Sequence, residues 1–147
     1  MGFLGRLFGK KDDTKQLIVG NKPLKEGNFG DDAPCNGDRQ TVCRRVEDAI
    51  SAIFAAENDY YELYRDVSPW ELGGDDQVYP FTYGIYCNGT AKLMILILEK
   101  TWGYKRKDVE AAHELCRQKG IACMNLMLHL PNRKSYIINR IRELLNN

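Results

Sequence analysis

The sequence predicts an α/β (α+β) domain in which helices pack on a four-stranded mixed sheet, with the element order α-β-β-β-α-β-α. Three observations support this fold class. Apolar residues recur at helical spacing in three separate segments, which is typical of helices that bury one face. An Asn88-Gly89 pair lies between two aromatic and β-branched runs and indicates a hairpin. Residues 93–98 are all large and apolar, as expected of a strand covered on both faces.

The first helix is predicted from about residue 41 to residue 56. Asp38 or Thr41 can cap its start, because both side chains accept hydrogen bonds from free backbone N–H groups. Its inward positions are Val42, Val46, Ala49, Ile50 and Ile53. The stretch YYELYRDV then alternates with a period of two, which favours a strand with one wetter face. The stretch SPWELGGDDQ is predicted to be a loop because of its proline, paired glycines and acids.

The second and third strands are predicted from the segment FTYGIYCNGTAKLMILILEK. Asn88 and Gly89 both tolerate the positive φ of a tight hairpin turn. An antiparallel hairpin, followed by a right-handed helical crossover to a strand parallel with the third, gives a mixed sheet. The strand over residues 93–98 is then central. At about 25 cal/mol per Å² of buried apolar surface, it would contribute more burial free energy than any other segment.

A second helix, a fourth strand and a last helix complete the predicted domain. The segment KRKDVEAAHELCRQKG places Val109, Ala112 and Cys116 on one helical face. Gly120 supplies the left-handed stop of this helix. The segment IACMNLMLHL is apolar on both sides, which predicts an internal strand. Pro131 ends that strand, and an amphipathic helix follows to the C-terminal region.

Length and composition favour one globular domain with an N-terminal extension. A chain of 147 residues fits a single hydrophobic core. We expect an amphipathic or disordered tail over residues 1–11, a Gly/Pro/Asp-rich linker over residues 12–39, and the domain over residues 40–147. The apolar face of the tail is formed by Phe3, Leu4, Leu7 and Phe8. Contact of residues 1–11 with a membrane surface or a protein groove is therefore one open alternative.

The expected compartment is the cytoplasm. No apolar run approaches the roughly 20 residues that span a bilayer, and the tail lacks the pattern of a signal peptide. The five cysteines form no CxxC pair, which indicates reduced thiols. His113 and His129 lack partners at zinc-ligand spacing. We therefore expect no resident metal or other cofactor.

The net charge of +1 conceals an uneven distribution. Residues 41–99 contain 4 Lys/Arg against 10 Asp/Glu, whereas residues 100–147 contain 10 Lys/Arg against 4 Asp/Glu. A basic C-terminal third can attract nucleic acid, although surface lysines and arginines more often only solvate a helix face. The candidate nucleic-acid contacts are Lys105, Arg106, Lys107, Arg133, Lys134 and Arg140.

The order of elements over about residues 40–145 resembles the core of the PD-(D/E)xK, or restriction-endonuclease-like, fold. The resemblance is strongest in FTYGIYCNGTAKLMILILEK and RKDVEAAHELCRQKGIACMNLMLHLPN, which look like a family of small, mostly uncharacterised bacterial proteins. It implies that active relatives carry one acid before the third strand and an acid-x-lysine within it. There, two carboxylates hold a divalent metal and the lysine polarises the attacking water.

The residues that carry this catalytic signature are replaced here. Thr82 or Tyr83 stands where the first acid is expected, and Leu96 and Leu98 occupy the acid and lysine positions. A bulky aliphatic strand leaves no space for a coordinated cation. The resemblance therefore implies a nuclease-like domain with a degenerate catalytic motif.

Glu99, Lys100 and Asp66 are the alternative catalytic residues, with Asp75 or Asp76 as other partner acids. Neighbouring residues of a strand point to opposite faces, so Glu99 and Lys100 cannot both reach one metal unless a bulge intervenes. A strand end that becomes polar at the solvent explains the pair better. Two hypotheses follow: a non-catalytic module that binds nucleic acid or a protein partner, and a Mg²⁺-dependent DNA endonuclease with a rearranged active site.

Overall fold

The structure is a computed structural model that describes residues 16–18, 32–35, 37–57 and 61–146. The strands in these ranges are β1 (Gln16–Ile18), β2 (Tyr61–Val67), β3 (Phe81–Cys87), β4 (Thr90–Leu98) and β5 (Ala122–Met127). The helices in the same ranges are α1 (Arg39–Glu57), α2 (Lys107–Lys119) and α3 (Lys134–Leu145). Short 3-10 helices occur at Pro69–Leu72 and Gly103–Lys105. The predicted fold class, a mixed sheet with helices packed on it, is confirmed.

The strands of the described chain form one sheet in the order β1-β2-β3-β4-β5. Neighbours from β1 to β4 pair antiparallel, and β5 pairs parallel with β4 after the α2 crossover. At the β3–β4 turn, φ is +53° at Asn88 and +82° at Gly89. Both residues therefore adopt the left-handed backbone that the hairpin prediction requires.

Two features of the sheet differ from the sequence prediction. Strand β1 adds a fifth member from within the predicted linker, where Leu17 lies opposite Tyr64 of β2. The prediction of an internal fourth strand is wrong, because within the described ranges β5 has β4 as its single neighbour. The apolar character of β5 instead reflects helices on both faces: Met124 and Leu126 pack with α1 and α3, and Met127 packs with α2.

Part of the predicted linker also contacts the domain. Cys35 is buried in the core beside α1 and α3, and its backbone N–H donates to the Pro131 carbonyl at 2.9 Å. Asp32 contacts Ser135 at the start of α3. The N-terminal tail predicted over residues 1–11 lies outside the described residues.

The sheet separates two hydrophobic clusters, and β4 contributes to both. One cluster lies under α1 and α3, and the other lies under α2. The β4 residues of the first cluster are Leu93, Ile95 and Ile97, and those of the second are Met94, Leu96 and Leu98. All of them are buried. The central position predicted for this strand is therefore confirmed.

The alternation of side chains is interrupted in β2 and β3 near the end of β4. Arg65 reaches α1, whereas Val67 packs in the α2 cluster, although residues two apart in a strand normally share a face. Asp66 between them has φ +51° and is exposed. On β3, Phe81 and Tyr83 divide between the two clusters in the same way. The side chains of β2 and β3 thus change faces where β2 ends.

The three helices of the described chain begin at one edge of the sheet, where β4 and β5 end. Helices α2 and α3 follow these two strands directly. At the start of α1, the Arg39 guanidinium donates to the Ile97 carbonyl at 3.5 Å and lies 3.9 Å from the Glu99 carboxylate. Residues 99–107 and 128–136, which form this edge, are termed the carboxyl edge below. None of the helices in the described ranges is long and apolar enough to cross a membrane.

Candidate functional site

The two segments of the carboxyl edge start side by side. The backbone N–H of Leu128 donates to the Leu98 carbonyl at 2.9 Å, which extends the β4–β5 pairing beyond the last residue of β5. Ligands of α/β sheets gather at the carboxyl ends of the strands, because the following segments can vary without disturbing the sheet. The carboxyl edge is therefore the part of this fold where a binding site is expected.

The first segment, residues 99–107, is a tight turn that packs on the end of β4. Gly103 is buried there, and a Cβ atom built on it would lie 3.3 Å from the Leu98 Cβ, which is a close contact. The Gly103 N–H donates to the Lys100 carbonyl at 2.9 Å. Glycine thus allows the turn to lie against the strand, and its neighbours face outward.

Two aromatic side chains flank Gly103 and face the solvent. Trp102 is 56% exposed and Tyr104 is 46% exposed. The Lys105 Nζ lies 5.7 Å from the centroid of the Tyr104 ring, within the range of a cation–π contact. The Lys105 backbone N–H donates to the Trp102 carbonyl at 3.0 Å, which closes the backbone turn that carries the two rings and the ammonium group.

Three lysines give the first segment its positive charge. Lys100, Lys105 and Lys107 are all exposed. Within the described part of the chain, none of them has a carboxylate within ion-pair distance. Their ammonium groups are therefore available to an anionic ligand.

Arg106, in contrast, is held by neighbouring side chains. Its Nε and Nη2 donate to the two carboxylate oxygens of Asp108 at 3.1 and 2.7 Å. Its guanidinium carbon lies 5.4 Å from the centroid of the Tyr79 ring. Asp108 lies in the first turn of α2, where its negative charge also complements the helix dipole. Arg106 thus presents a fixed, partly neutralised cation.

The second segment is fixed by Asp32, which caps the start of α3. One Asp32 carboxylate oxygen accepts a hydrogen bond from the Ser135 N–H at 2.9 Å, and the other accepts one from the Ser135 hydroxyl at 2.8 Å. The backbone bond from Ser135, followed by its hydroxyl, lowers the pKa of Asp32. Arg133 donates to the Asp32 backbone carbonyl at 2.8 Å and remains exposed.

Asn132 is the buried residue on which the second segment turns. Its φ is +49°, which asparagine tolerates better than most residues. Its side-chain amide donates to the carbonyls of Met127 and Leu130, both at 2.9 Å. Its backbone carbonyl accepts a hydrogen bond from Arg45 at 3.1 Å. The segment is thereby attached to both β5 and α1.

Two predicted nucleic-acid contacts do not belong to the exposed surface of this edge. Lys134 is 4% exposed, and its ammonium lies 3.7 Å from the Asp48 carboxylate of α1. Lys134, predicted as a ligand contact, is thus held between two helices and does not contribute to the exposed surface. Arg140 pairs with Glu143 at 2.6 Å and lies about 9 Å along α3 from its first residue. It is thus separate from the carboxyl edge.

An apolar depression of about 380 Å³ lies beside β5 at the second segment. Exposed Leu130 and Tyr136 contribute to its walls. Arg133 also lines it, three residues before Tyr136, and therefore on the same side of the helix start. A ring and a cation thus occur together here as they do on the first segment. The remaining lining residues are Asn125, Leu126, Met127, Pro131 and Asn132.

The alternative catalytic residues are not brought together. Glu99 is 66% exposed at its side chain, and Arg39 is the cation beside it. Asp66 lies on β2, two strand spacings, or about 9.5 Å, from β4. Lys100 is exposed in the turn. Among the described residues, no group of three or more His, Cys, Asp or Glu side chains is placed to hold a metal ion.

The positions that the resemblance assigns to catalysis are occupied by three buried core side chains and by the partly buried Thr82. Leu96 and Leu98 are buried under α2. The Thr82 hydroxyl accepts a hydrogen bond from the Ile97 N–H at 3.0 Å. Tyr83 is buried under α1, where its hydroxyl donates to Glu47. These four side chains perform structural tasks within the sheet.

The aromatic residues of the carboxyl edge are absent from the sequence-derived candidates. Trp102, Tyr104 and Tyr136 are exposed large side chains next to cations. One signal was available for Trp102 and Tyr104: they flank a glycine inside a lysine-rich segment between a strand and a helix.

No protein-family model matches the chain, nor does any curated protein or solved structure. What the edge can do chemically is to bind an anionic ligand that also offers flat apolar surfaces.

Proposed function

We propose that this domain is a non-catalytic, nuclease-like module that binds nucleic acid through the carboxyl edge. The observation that carries the proposal is the set of exposed cations on the two adjoining segments. These cations are Lys100, Lys105, Arg106, Lys107 and Arg133. Lysine and arginine bind nucleic acid mainly by neutralising backbone phosphates, a contact that does not require a particular base sequence.

The local charge balance supports this assignment. Within residues 99–107 and 128–133 the single acid is Glu99, which has Arg39 beside it. Asp108 and Asp32 each contact an arginine of the edge, but neither contacts one of the three lysines. The edge therefore carries a positive potential, although the whole chain is close to neutral.

The helix starts supply a further argument. Helices α1 and α3 have no acidic residue in their first turns, and the exposed Arg39 and Arg133 lie at their starts. Helix dipoles favour acids at these positions, so basic residues there do not increase helix stability. An anionic ligand accounts for their placement better than helix stability does.

The test compares charge reversal at the two ends of the same elements. Lys105→Glu/Lys107→Glu changes the carboxyl edge, whereas Lys92→Glu/Lys119→Glu changes exposed residues at the start of β4 and the end of α2. We expect the first variant, but not the second, to lose at least about 10-fold in affinity for a fluorescent oligonucleotide, measured by anisotropy. Affinity of the unchanged protein should fall steeply with added salt.

Three results would contradict the proposal. Equal losses in the two variants would show that net charge alone drives binding. Absence of any binding by the unchanged protein at low salt would leave a protein-interaction role. Plasmid cleavage in Mg²⁺ or Mn²⁺ that is abolished by Glu99→Ala would instead support the endonuclease alternative with Glu99, Lys100 and Asp66, and would overturn the non-catalytic assignment.

A further inference from the structure

We propose that the carboxyl edge selects single-stranded nucleic acid, whose bases stack on Trp102 and Tyr104. This inference rests on the proposed function, to which it adds the class of ligand. It is carried by the two exposed rings and by their fixed relation to the cations of the same turn. Neither ring was needed to explain phosphate binding.

The backbone of the turn fixes the positions from which the two rings project. Gly103 between them is buried against Leu98, and three successive backbone hydrogen bonds fix the segment. The last of these runs from the Arg106 N–H to the Gly103 carbonyl at 3.1 Å. Because Gly103 lies on the inner side of this turn, Trp102 and Tyr104 project from its outer side. A fixed backbone lowers the conformational freedom that is lost when a base stacks on either ring.

The exposed apolar surface of this turn consists of aromatic rings. Leu98, the aliphatic residue nearest to it, is buried, and the side chains of residues 99–107 other than the two rings are short, polar or charged. Flat rings next to ammonium groups match a ligand that alternates flat bases with phosphates.

Stacking on a protein ring requires a base whose face is free. In a duplex each base face is covered by the neighbouring base pair, whereas a single strand can open its stack at small cost. Lys105 lies beside the Tyr104 ring, where it can meet the phosphate next to a stacked base. The arrangement therefore favours single strands over duplexes.

The second segment repeats the combination of a ring and a cation. Tyr136 is exposed and follows Arg133 by three residues, which places both on one side of the start of α3. This segment adjoins the first through the hydrogen bond between Leu128 and Leu98. A strand that passes from one segment to the other would meet a second stacking position.

The experiment uses the two tryptophans of the chain as separate reporters. Trp70 is 61% exposed, similar to Trp102, but it lies in a turn with Glu71, Asp75 and Asp76 nearby in sequence. The Trp70→Phe protein retains Trp102 as its fluorophore, and the Trp102→Phe protein retains Trp70. We expect single-stranded DNA or RNA to quench the first protein and to leave the second unchanged.

Affinity measurements complete the test. We expect single strands to bind at least about 10-fold more tightly than a duplex of the same length, because stacking adds to phosphate contacts. Trp102→Leu should reduce single-strand binding about 10-fold and leave duplex binding unchanged. The matched Trp70→Leu variant should bind as the unchanged protein does. RNA and DNA strands are tested in parallel, because both offer the same base faces.

The outcomes separate this inference from the proposed function. If Lys105→Glu/Lys107→Glu weakens binding but single strands and duplexes bind equally and Trp102 is not quenched, the stacking inference is wrong and phosphate binding stands. If no nucleic acid binds at low salt, both are wrong. If anionic phosphatidylserine vesicles shift the Trp102 emission to the blue and oligonucleotides do not quench it, the ligand is a membrane surface and the inference is overturned.

Discussion

The Tyr83 hydroxyl donates a hydrogen bond of 2.5 Å to the Glu47 carboxylate, and so joins β3 to α1. The same carboxylate accepts two hydrogen bonds from Arg65 of β2, at 3.0 and 2.9 Å. Three elements thus meet at one acid. Either Tyr83 or Thr82 occupies the position where the nuclease resemblance expects a metal-binding acid. The Tyr83 ring lies in the core.

Tyr83→Phe should lower the free energy of unfolding by about 1.5–3 kcal/mol, because a hydrogen bond to a charged acceptor is lost from a buried hydroxyl. The Arg65–Glu47 pair remains in this variant, so the fold itself should persist. Urea unfolding followed by circular dichroism measures the change. Tyr104→Phe, which alters an exposed hydroxyl, serves as the control, and an equal effect of the two substitutions would contradict the structural role of Tyr83.

Stability should fall in alkaline solution. Burial raises the pKa of Tyr64 to about 12, and burial together with the hydrogen bond to Glu47 raises the pKa of Tyr83 well above its usual range. Burial likewise raises the pKa of Tyr86. An unfolded tyrosine releases its proton near pH 10, so the folded state holds more protons than the unfolded state above that pH.

The free energy of unfolding should therefore show no tyrosine-dependent change below about pH 10 and should decrease above it. Urea titrations at several pH values between 8 and 12 measure this dependence. Tyr83→Phe should flatten the alkaline decrease because it removes one of the raised groups. A decrease of the same steepness in Tyr83→Phe would show that Tyr83 does not contribute.

Introducing an acid-x-lysine in β4 should damage the fold without creating a metal site. Leu96→Glu/Leu98→Lys would bury two charges in the α2 cluster, at an expected cost of about 4 kcal/mol or more. Circular dichroism and thermal unfolding with and without Mg²⁺ test this. Leu96→Met/Leu98→Met is the control of similar volume and should remain folded. A folded double variant whose Tm rises with Mg²⁺ would contradict the prediction.

Gly84→Ala should destabilise the sheet by about 1–3 kcal/mol through overpacking. A Cβ atom at this position would lie 3.0 Å from both the Met94 Sδ and the Val67 Cγ2. Gly89→Asn is the control, because Gly89 has open space around it and asparagine tolerates its positive φ. Urea unfolding compares the two variants, and similar stabilities would indicate that the α2 cluster can accommodate an added methyl group.

Charge reversal at the first residue of α2 and of α3 should have different effects. Lys134→Glu places a buried carboxylate beside Asp48 and should cost about 3 kcal/mol or more. Lys107→Glu places an exposed acid at a helix start and should leave stability unchanged or slightly raised. Thermal unfolding of the two single variants tests this, and equal Tm values would show that Lys134 is not buried in solution.

Local signals in the sequence were sufficient for most of the fold. Asn88 and Gly89 specify a turn through their own backbone preferences, and Gly120 ends α2 with φ +72° as predicted. Strand β1 could not be predicted, because its three residues depend on pairing with β2, more than 40 positions later. The sequence did not predict the edge position of β5. Apolar side chains on both faces of a strand indicate that helices cover it, but they do not indicate how many strands pair with it.

The candidate site was only partly predictable for a related reason. Lys105, Arg106, Lys107 and Arg133 lie at the carboxyl edge because the parallel pairing of β4 and β5 fixes where their helices start. The burial of Lys134 depends on Asp48 of α1, which lies beside it only because α1 packs on α3. Side-chain exposure is set by such distant partners.

The turn around Gly103 also bears on how a domain of this kind can change over generations. Its outward side chains contribute nothing to either cluster of the interior, so substitutions there would alter ligand preference while leaving the fold intact. Gly103 itself is the exception, since it lies against Leu98. A lineage could therefore exchange one binding partner for another by mutating a few exposed positions, provided that this glycine were retained.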